Sequence, residues 1–296
     1  MADFKLEQVG NNTYFIPSPV NIGMYIQDDS VYLIDSGGDK DAGRKISKII
    51  ADRGWSLEMI LNTHSNADHI GGNSYLQKKY DCRIGASEKE KPFIEFPEFE
   101  PAFLWGGYPP SKIENKFLMA PPSVVTDILY SDSELQPPGI SVVDLPGHFI
   151  QMIGFKTPDD VFFLADSLFP ENIIEKYHIC YVFDVGRFLE TLNYLKTYKA
   201  GLFIPSHGKK SDNIQQLAEL NMNKVYEICK LLCEICRSPK SPDEIIASIC
   251  AHYKLEMSSA QYVLMGSTIK SYIGYLQKQK KLAGIIADNL LKWVSI

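Results

Sequence analysis

The run Thr63-His64-Ser65-Asn66-Ala67-Asp68-His69 places four side chains able to bind a metal within six residues. Imidazole nitrogens and carboxylate oxygens, without thiolate, suit Zn2+, Fe2+ or Mn2+. The apolar Met59-Ile60-Leu61 before the run reads as the end of a strand, and Ile70-Gly71-Gly72-Asn73 after it reads as a helix start. In an extended loop, alternate spacing turns His64, Asn66 and Asp68 to one side and His69 to another. One loop can then face two neighbouring metal positions.

Three further candidate ligands follow buried-looking strands. Residues 140–145 lead into Pro146-Gly147-His148, residues 161–165 into Asp166, and residues 202–206 into His207. Side chains at strand ends are how a rigid scaffold presents a site along one edge.

Around these residues the first third of the chain alternates strand and turn. Residues 13–16, 21–26 and 31–34 read as strands, with a hairpin at Asp28-Asp29-Ser30. Asp41 to Arg53 has helical spacing, with Ile46, Ile49 and Ile50 on one face, and Ile70 to Lys79 reads as a second helix before a strand at 82–86. Asp35, after the third strand, reads as a turn residue or as one that orients a ligand by hydrogen bond. Residues 88–123 break the pattern, with Phe93, Phe96, Phe99, Phe103, Phe117, Trp105 and Tyr108 among prolines, glutamates and lysines. Long irregular stretches in compact proteins are commonly functional, so this one reads as a lid or pocket wall, the alternative being a helical insertion packed on the surface. Trp105 and Tyr108 in it, and Tyr177-His178 after the Asp166 strand, are the candidate substrate contacts. Past residue 210 the strand signal gives way to helices at 213–237, 243–252 and 258–281, then a hairpin around Asp288-Asn289. The division read from this is 1–210 and 211–296. Cys229, Cys233 and Cys236 have the spacing of an iron–sulfur motif, but on a helix they share one face and read as small apolar packing residues.

The 296 residues, 45% of them hydrophobic, suffice for one large or two unequal domains. A formal charge of −6 argues against binding nucleic acid by overall charge. Residues 237–296 are locally basic, with eight Lys or Arg against four Asp or Glu. No run approaches membrane-span length, and Met1-Ala2-Asp3-Phe4-Lys5 lacks the basic and apolar regions of a secretory signal. Six cysteines in such a chain are expected as reduced thiols, and the expected location is cytoplasmic.

The His64–His69 run resembles the HxHxDH signature of the metallo-β-lactamase superfamily, with Asn66 where the family has its second histidine. Gly147-His148 resembles the family's GH motif, Leu164-Ala165-Asp166-Ser167-Leu168-Phe169 its GDxLF-like strand end, Ser206-His207-Gly208 its last ligand, and Leu33-Ile34-Asp35-Ser36-Gly37 its LIDTG turn. The resemblance covers roughly residues 1–210 and implies an α+β fold, an αββα sandwich, followed by a small, mostly helical, winged-helix-like domain. The arrangement looks like the glyoxalase II-like branch with such an extension.

The resemblance also implies roles. One metal would be held by His64, position 66 and His148, the other by Asp68, His69 and His207, with Asp166 bridging. Zn2+ at one or two positions is expected, with Fe or Mn as alternatives. An amide oxygen is a weaker donor than imidazole, so Asn66 either binds metal weakly or only hydrogen-bonds a water on it. The implied reaction is attack of a metal-bound hydroxide on a small acyl substrate (a thioester, a lactone or a related ester or amide), with Asp68 orienting the nucleophile or carrying a proton. The alternatives are a ribonuclease or phosphodiesterase of the same superfamily, with RNA as partner, and a binding or regulatory member of weakened activity. The residues do not name the substrate.

Overall fold

A computed structural model describes residues 4–136 and 138–296. The chain begins with strands β1 (Glu7–Gln8), β2 (Thr13–Ile16), β3 (Ile22–Gln27) and β4 (Ser30–Ile34). Helix α1 (Lys40–Asp52), β5 (Ser56–Leu61), α2 (Ala67–Ile70), α3 (Asn73–Tyr80) and β6 (Arg83–Ala86) follow. Next come α4 (Lys91–Glu95), α5 (Phe99–Trp105) and β7 (Asp127–Ile128). These seven strands form one sheet in sequence order, antiparallel from β1 to β4 and parallel from β4 to β7. The second sheet contains β8 (Ser133–Leu135), β9 (Ile140–Asp144), β10 (Ile153–Lys156), β11 (Val161–Phe163) and β12 (Leu202–Ile204). Helices α6 (Glu171–Tyr177) and α7 (Val185–Thr197) lie between β11 and β12 in sequence. Because β9 and β11 are each antiparallel to β10, and β12 is parallel to β11, the strands β9, β11 and β12 end on the same edge.

Period-two alternation divides each inner strand between two cores. Tyr25, Tyr32, Ile34, Met59 and Leu61 of the first sheet meet Val142, Ile153, Phe155, Phe163 and Ile204 of the second. Their neighbours Met24, Val31, Leu33 and Ile60 face the other way and pack with Ile46 and Ile50 of α1 and Leu76 of α3. On the outer side of the second sheet, Phe162, Leu164 and Phe203 pack with Phe188, Leu192 and Leu195 of α7. This is the α+β sandwich with helices outside both sheets.

Three helices and a hairpin complete the chain: α8 (Gln215–Ile235), α9 (Pro242–Tyr253), α10 (Ser259–Lys278), β13 (Leu282–Ala287) and β14 (Leu290–Ser295). Ser241 with Glu244 and Ser258 with Gln261 form capping boxes that start α9 and α10. The turn between β13 and β14 has positive φ at both Asp288 and Asn289, the conformation that a tight hairpin requires. The apolar cluster outside the second sheet includes Ile228, Leu232, Ile269 and Tyr272, so it continues from residues before 210 into these helices. Cys229 and Cys236 are buried in it, and burial pushes their thiols up, to about 12 and about 11. All six cysteines are free, and no helix among the described residues is long and apolar enough to cross a membrane.

Two local readings differ from the structure. Asp68 and His69 lie in the helical turn α2 rather than in an extended loop, so helical rotation, not strand alternation, separates them. The stretch 88–123, irregular by its sequence, is partly helical, with Ile94, Leu104, Ile113 and Leu118 buried while Phe99, Phe103 and Trp105 remain partly exposed.

Gly71 and Gly72 explain how α2 is seated. A Cβ on Gly71 would lie 2.3 Å from the backbone carbon of Gly38, and one on Gly72 would lie 2.5 Å from the Ser36 carbonyl oxygen. Gly274, inside α10, has nothing within 4 Å of its own Cβ position. Gly71→Ala is therefore expected to destabilise the fold by about 3 kcal/mol through overpacking, and Gly274→Ala to stabilise it by up to about 1 kcal/mol through helix propensity. Urea unfolding of both variants measures the contrast, and equal effects would contradict this packing.

Candidate metal centre

His64 follows β5, His148 follows β9, Asp166 follows β11 and His207 follows β12, so four strand ends converge. Two groups of side chains place their donor atoms within 4.8 Å of one another: His64, His148 and Asp166, and Asp68, His69 and His207. Asp166 touches both. Its Oδ2 lies 3.6 Å from His148 Nε2 and 3.2 Å from His207 Nε2, and its Oδ1 lies 3.4 Å from His69 Nε2. Asp68 is half exposed, with Oδ2 3.6 Å from His207 Nε2 and Oδ1 3.9 Å from His69 Nε2.

The approach of each strand end has a local cause. Gly147 adopts φ 124°, and a Cβ there would meet the Phe188 backbone nitrogen at 2.3 Å, so the turn before His148 lies directly on α7. The two sheets are stitched beside the site by Ile153 N–H donating to the Thr63 carbonyl and Asn21 N–H donating to the Ser206 carbonyl. The Asn21 amide also donates to the carbonyls of Pro205 and Gly208, fixing the loop that carries His207.

Four acceptors orient the imidazoles. His69 Nδ1 faces Asp35 Oδ2 at 2.8 Å, His148 Nδ1 the Tyr181 carbonyl at 3.1 Å, and His207 Nδ1 the Pro19 carbonyl at 2.7 Å. Thr63 donates its hydroxyl proton to Asp35 Oδ2, which leaves its oxygen free to accept from His64 Nδ1. In each case an acceptor stands ready to hold the Nδ1 proton and Nε2 faces the centre, the arrangement that imidazole ligands need. His64 Nε2, His69 Nε2 and Asp166 Oδ1 are buried without a hydrogen-bond partner. Unpaired buried polar atoms are costly. Cations held by the two groups, with Asp166 between them, would satisfy all three, so the donor set fits metal ions.

The field of the site also favours a cation. Burial would lower the basicity of His69 and His207, but Asp166 and Asp68 outweigh it, holding His69 well above the usual imidazole range and His207 up at about 9. Burial would raise Asp166, yet His207 and His69 hold it well below the usual carboxylate range. Burial, reinforced by neighbouring imidazoles, keeps His64 well below the usual value, and burial lowers His148 against the pull of Asp166.

Asn66 meets this group through its amide. Its Oδ1 lies 3.0 Å from His148 Nε2, and its Nδ2 donates to Glu100 Oε1 at 2.8 Å. The four candidate substrate contacts are not drawn into the cluster. Tyr177 is partly exposed, with the Lys176 ammonium over its ring. His178 stacks on Tyr253 at 4.3 Å, beside Lys224. Trp105 and Tyr108 are exposed, Tyr108 to 89%. The aromatic rings beside His148 are instead Tyr181 at 5.5 Å and Phe169 at 5.9 Å.

Two buried glutamates were not marked by the sequence. Glu90 accepts from Ser65 N–H, the Ser65 hydroxyl and Gln151 N–H, tying the His64 loop to the loop after His148. Glu100 holds Asn66. They stand among Glu88, Glu95 and Glu98 in one charged stretch, and the only local hint is that Glu100 shares a face of α5 with buried Leu104.

The whole chain resembles solved proteins in fold. A β-lactamase domain protein from Burkholderia ambifaria superposes with a TM-score of 0.77 at 17% identity, covering 98% of this chain and 93% of that one. A metallo-β-lactamase family protein from Thermus thermophilus gives a TM-score of 0.73 at 19% identity, covering 96% of this chain and 99% of that one. A hydroxyacylglutathione hydrolase from Nitrobacter hamburgensis is 29% identical over 156 residues, 50% of this chain and 48% of its own length. The chain thus spans about half or less of the curated relatives it matches. The family model of the metallo-β-lactamase superfamily matches residues 16–207, and the chain belongs to that superfamily.

Burial pushes the Glu90 carboxyl up to about 7 from an ordinary 4.5. Below pH 4.5 it is protonated in both folded and unfolded chains. Between pH 4.5 and 7 the unfolded chain releases the proton first, so the contribution of Glu90 to stability falls as pH rises and levels off above 7. Relative to Glu90→Gln, which does not titrate, the wild type is expected to lose about 3 kcal/mol across that window. Urea midpoints of the two proteins at pH 4.5 and pH 7.5 measure this, and a pH-independent difference would refute it.

Proposed function

We propose that the protein is a metal-dependent hydrolase of small acyl substrates. The observation that carries this reading is the convergence of three unpartnered buried atoms, His64 Nε2, His69 Nε2 and Asp166 Oδ1, among four oriented imidazoles and two carboxylates. His64, His148 and, more weakly, Asn66 would hold one metal ion, Asp68, His69 and His207 the other, and Asp166 would contact both. Zn2+ is the metal proposed, since nitrogen-rich imidazole and carboxylate sets suit it. When bound, such ions supply a nucleophile at neutral pH and polarise the scissile carbonyl.

The remaining work belongs to this chain's own residues. Asp35, Thr63 and the carbonyls of Tyr181 and Pro19 fix the imidazole tautomers before substrate arrives. Asp68 is half exposed beside His69 and His207, placed to orient the nucleophile or carry a proton to the leaving group. The name of the Nitrobacter relative favours a thioester, an acyl group carried on a thiol, as the first substrate to test. We read residues 1–210 as the hydrolase domain and 211–296 as a winged-helix-like unit packed on it. Reduced cysteines accord with a cytoplasmic location.

Purified protein is expected to hydrolyse members of a thioester and lactone panel, to lose turnover with a chelator and to regain it with Zn2+. Asp68→Ala is expected to lower kcat by about 100-fold or more. Turnover that survives complete metal removal would exclude this reading. Metal analysis is expected to give nearer one tightly held ion than two per chain, with Asn66→His raising the count. Two equally tight ions in the unaltered protein would contradict the weak-donor assignment of Asn66.

A further inference from the structure

We propose that Glu100 is a positioning residue that turns the Asn66 amide so that its oxygen, not its nitrogen, is presented as a metal donor beside His148. The inference rests on the metal-centre reading of the site. Asn66 stands where an imidazole is expected, and an amide has two unlike ends of nearly equal size. Only the oxygen can donate a lone pair to a metal. Which end faces the centre therefore decides whether position 66 is a ligand at all.

Glu100 makes that decision from outside the motif. It is buried on α5, the second helix of the aromatic insertion, and its Oε1 accepts from Asn66 Nδ2 at 2.8 Å. In either protonation state a carboxyl oxygen can accept this bond. With Nδ2 engaged, Oδ1 points to His148 Nε2 at 3.0 Å. Both ring nitrogens of His148 meet oxygens that can only accept, Nδ1 the Tyr181 carbonyl at 3.1 Å and Nε2 the Asn66 amide oxygen at 3.0 Å, and a neutral ring has one proton for the two. With that proton on Nδ1, bonded to the Tyr181 carbonyl, lone pairs on Asn66 Oδ1 and His148 Nε2 face each other, and the His64 and Asp166 donors are grouped with His148. A cation at that position relieves the opposed lone pairs, whereas the reversed amide would fill the His148 lone pair with an N–H and close the position. Asn66 makes no N-cap hydrogen bond to α2, so the helix start does not compete for its side chain. The insertion thus reaches the metal position through one hydrogen bond, and the amide acts as an oxygen ligand because Glu100 holds it so.

Cobalt(II) titration of metal-free protein, followed by absorbance and calorimetry, tests this independently of turnover. The wild type is expected to show one tight and one weaker binding event. Glu100→Leu should weaken the second event by roughly 10- to 100-fold and leave the first unchanged, in line with substitutions of residues that orient metal ligands. Glu100→Gln, which retains an acceptor oxygen, should restore it to within a few-fold. In an Asn66→His background Glu100→Leu should weaken the second event far less, because either ring nitrogen of an imidazole can donate to a metal whereas only one end of an amide can. Equal weakening in both backgrounds would assign Glu100 a merely structural role, and an unchanged or tighter second event in Glu100→Leu would overturn the proposal. Wild-type protein that takes up no cobalt would instead overturn the metal-centre reading beneath it. Should Glu100→Leu not fold, the Asn66 side-chain amide resonances of the wild type decide, identified by their loss in Asn66→His. They are expected to shift with the second equivalent of zinc, and an unmoved signal would refute the ligand role.

Discussion

One buried carboxylate ties the candidate centre to the fold. Asp35 leaves β4 in a left-handed conformation, φ 59°, and its two oxygens accept from Thr63 N–H, the Thr63 hydroxyl and His69 Nδ1. Through Thr63 it also reaches His64. A single side chain at the end of one strand thus sets the loop after the next strand, the tautomers of two imidazoles and the seat of α2. The adjacent Ser36 N–H bonds to the His69 carbonyl, and Gly71 and Gly72 bring the two backbones into direct contact. The precision of the site on this side comes from backbone packing, which admits little adjustment.

The other side is held differently. His148 and His207 sit on loops of the second sheet, and their orientation is set by backbone carbonyls of distant segments, Tyr181 and Pro19. Asp166 lies between the two halves and is in contact range of three imidazoles. The sandwich core between the sheets keeps the halves at a fixed distance, while cross-sheet bonds from Asn21 and Ile153 lock their edges together. Glu90 and Glu100 add a clamp from the insertion, one on Ser65 and one on Asn66. Ser65, Asn66 and Gln151 are therefore bound to the segment that the sequence reads as a lid or pocket wall.

A buried carboxyl at Glu90 also shows how function and stability oppose each other here. Ionised, it satisfies three donors, but burial penalises its charge and moves its titration to about 7. The fold tolerates this because those three contacts fix the loop that presents His64 and Asn66.

Much of this was legible in the residues themselves. Alternating apolar strands, the His64–His69 run and the histidines and aspartate at strand ends identified the superfamily, the sandwich and the candidate donors, because each depends on local periodicity or a short motif. Asp35 was legible as a turn residue or an orienting one for the same reason, and its bonds to Thr63 and His69 are those of the second. The extended form expected for Asp68 was not realised, since a helical turn won over strand alternation once Gly71 and Gly72 could pack against residues 36–38. Asn66 was visible as an irregular letter, but its direction was not, because an amide's two ends are distinguished only by the partner it meets. That partner, Glu100, lies thirty-four residues away on a helix, and Glu90, Tyr181 and Pro19 are similarly remote from what they hold. The sequence by itself determined which donor atoms exist and which strand ends carry them. Only the tertiary structure decided which way each imidazole and the Asn66 amide face, because hydrogen-bond direction is set by neighbours in space and has no local signature in the chain.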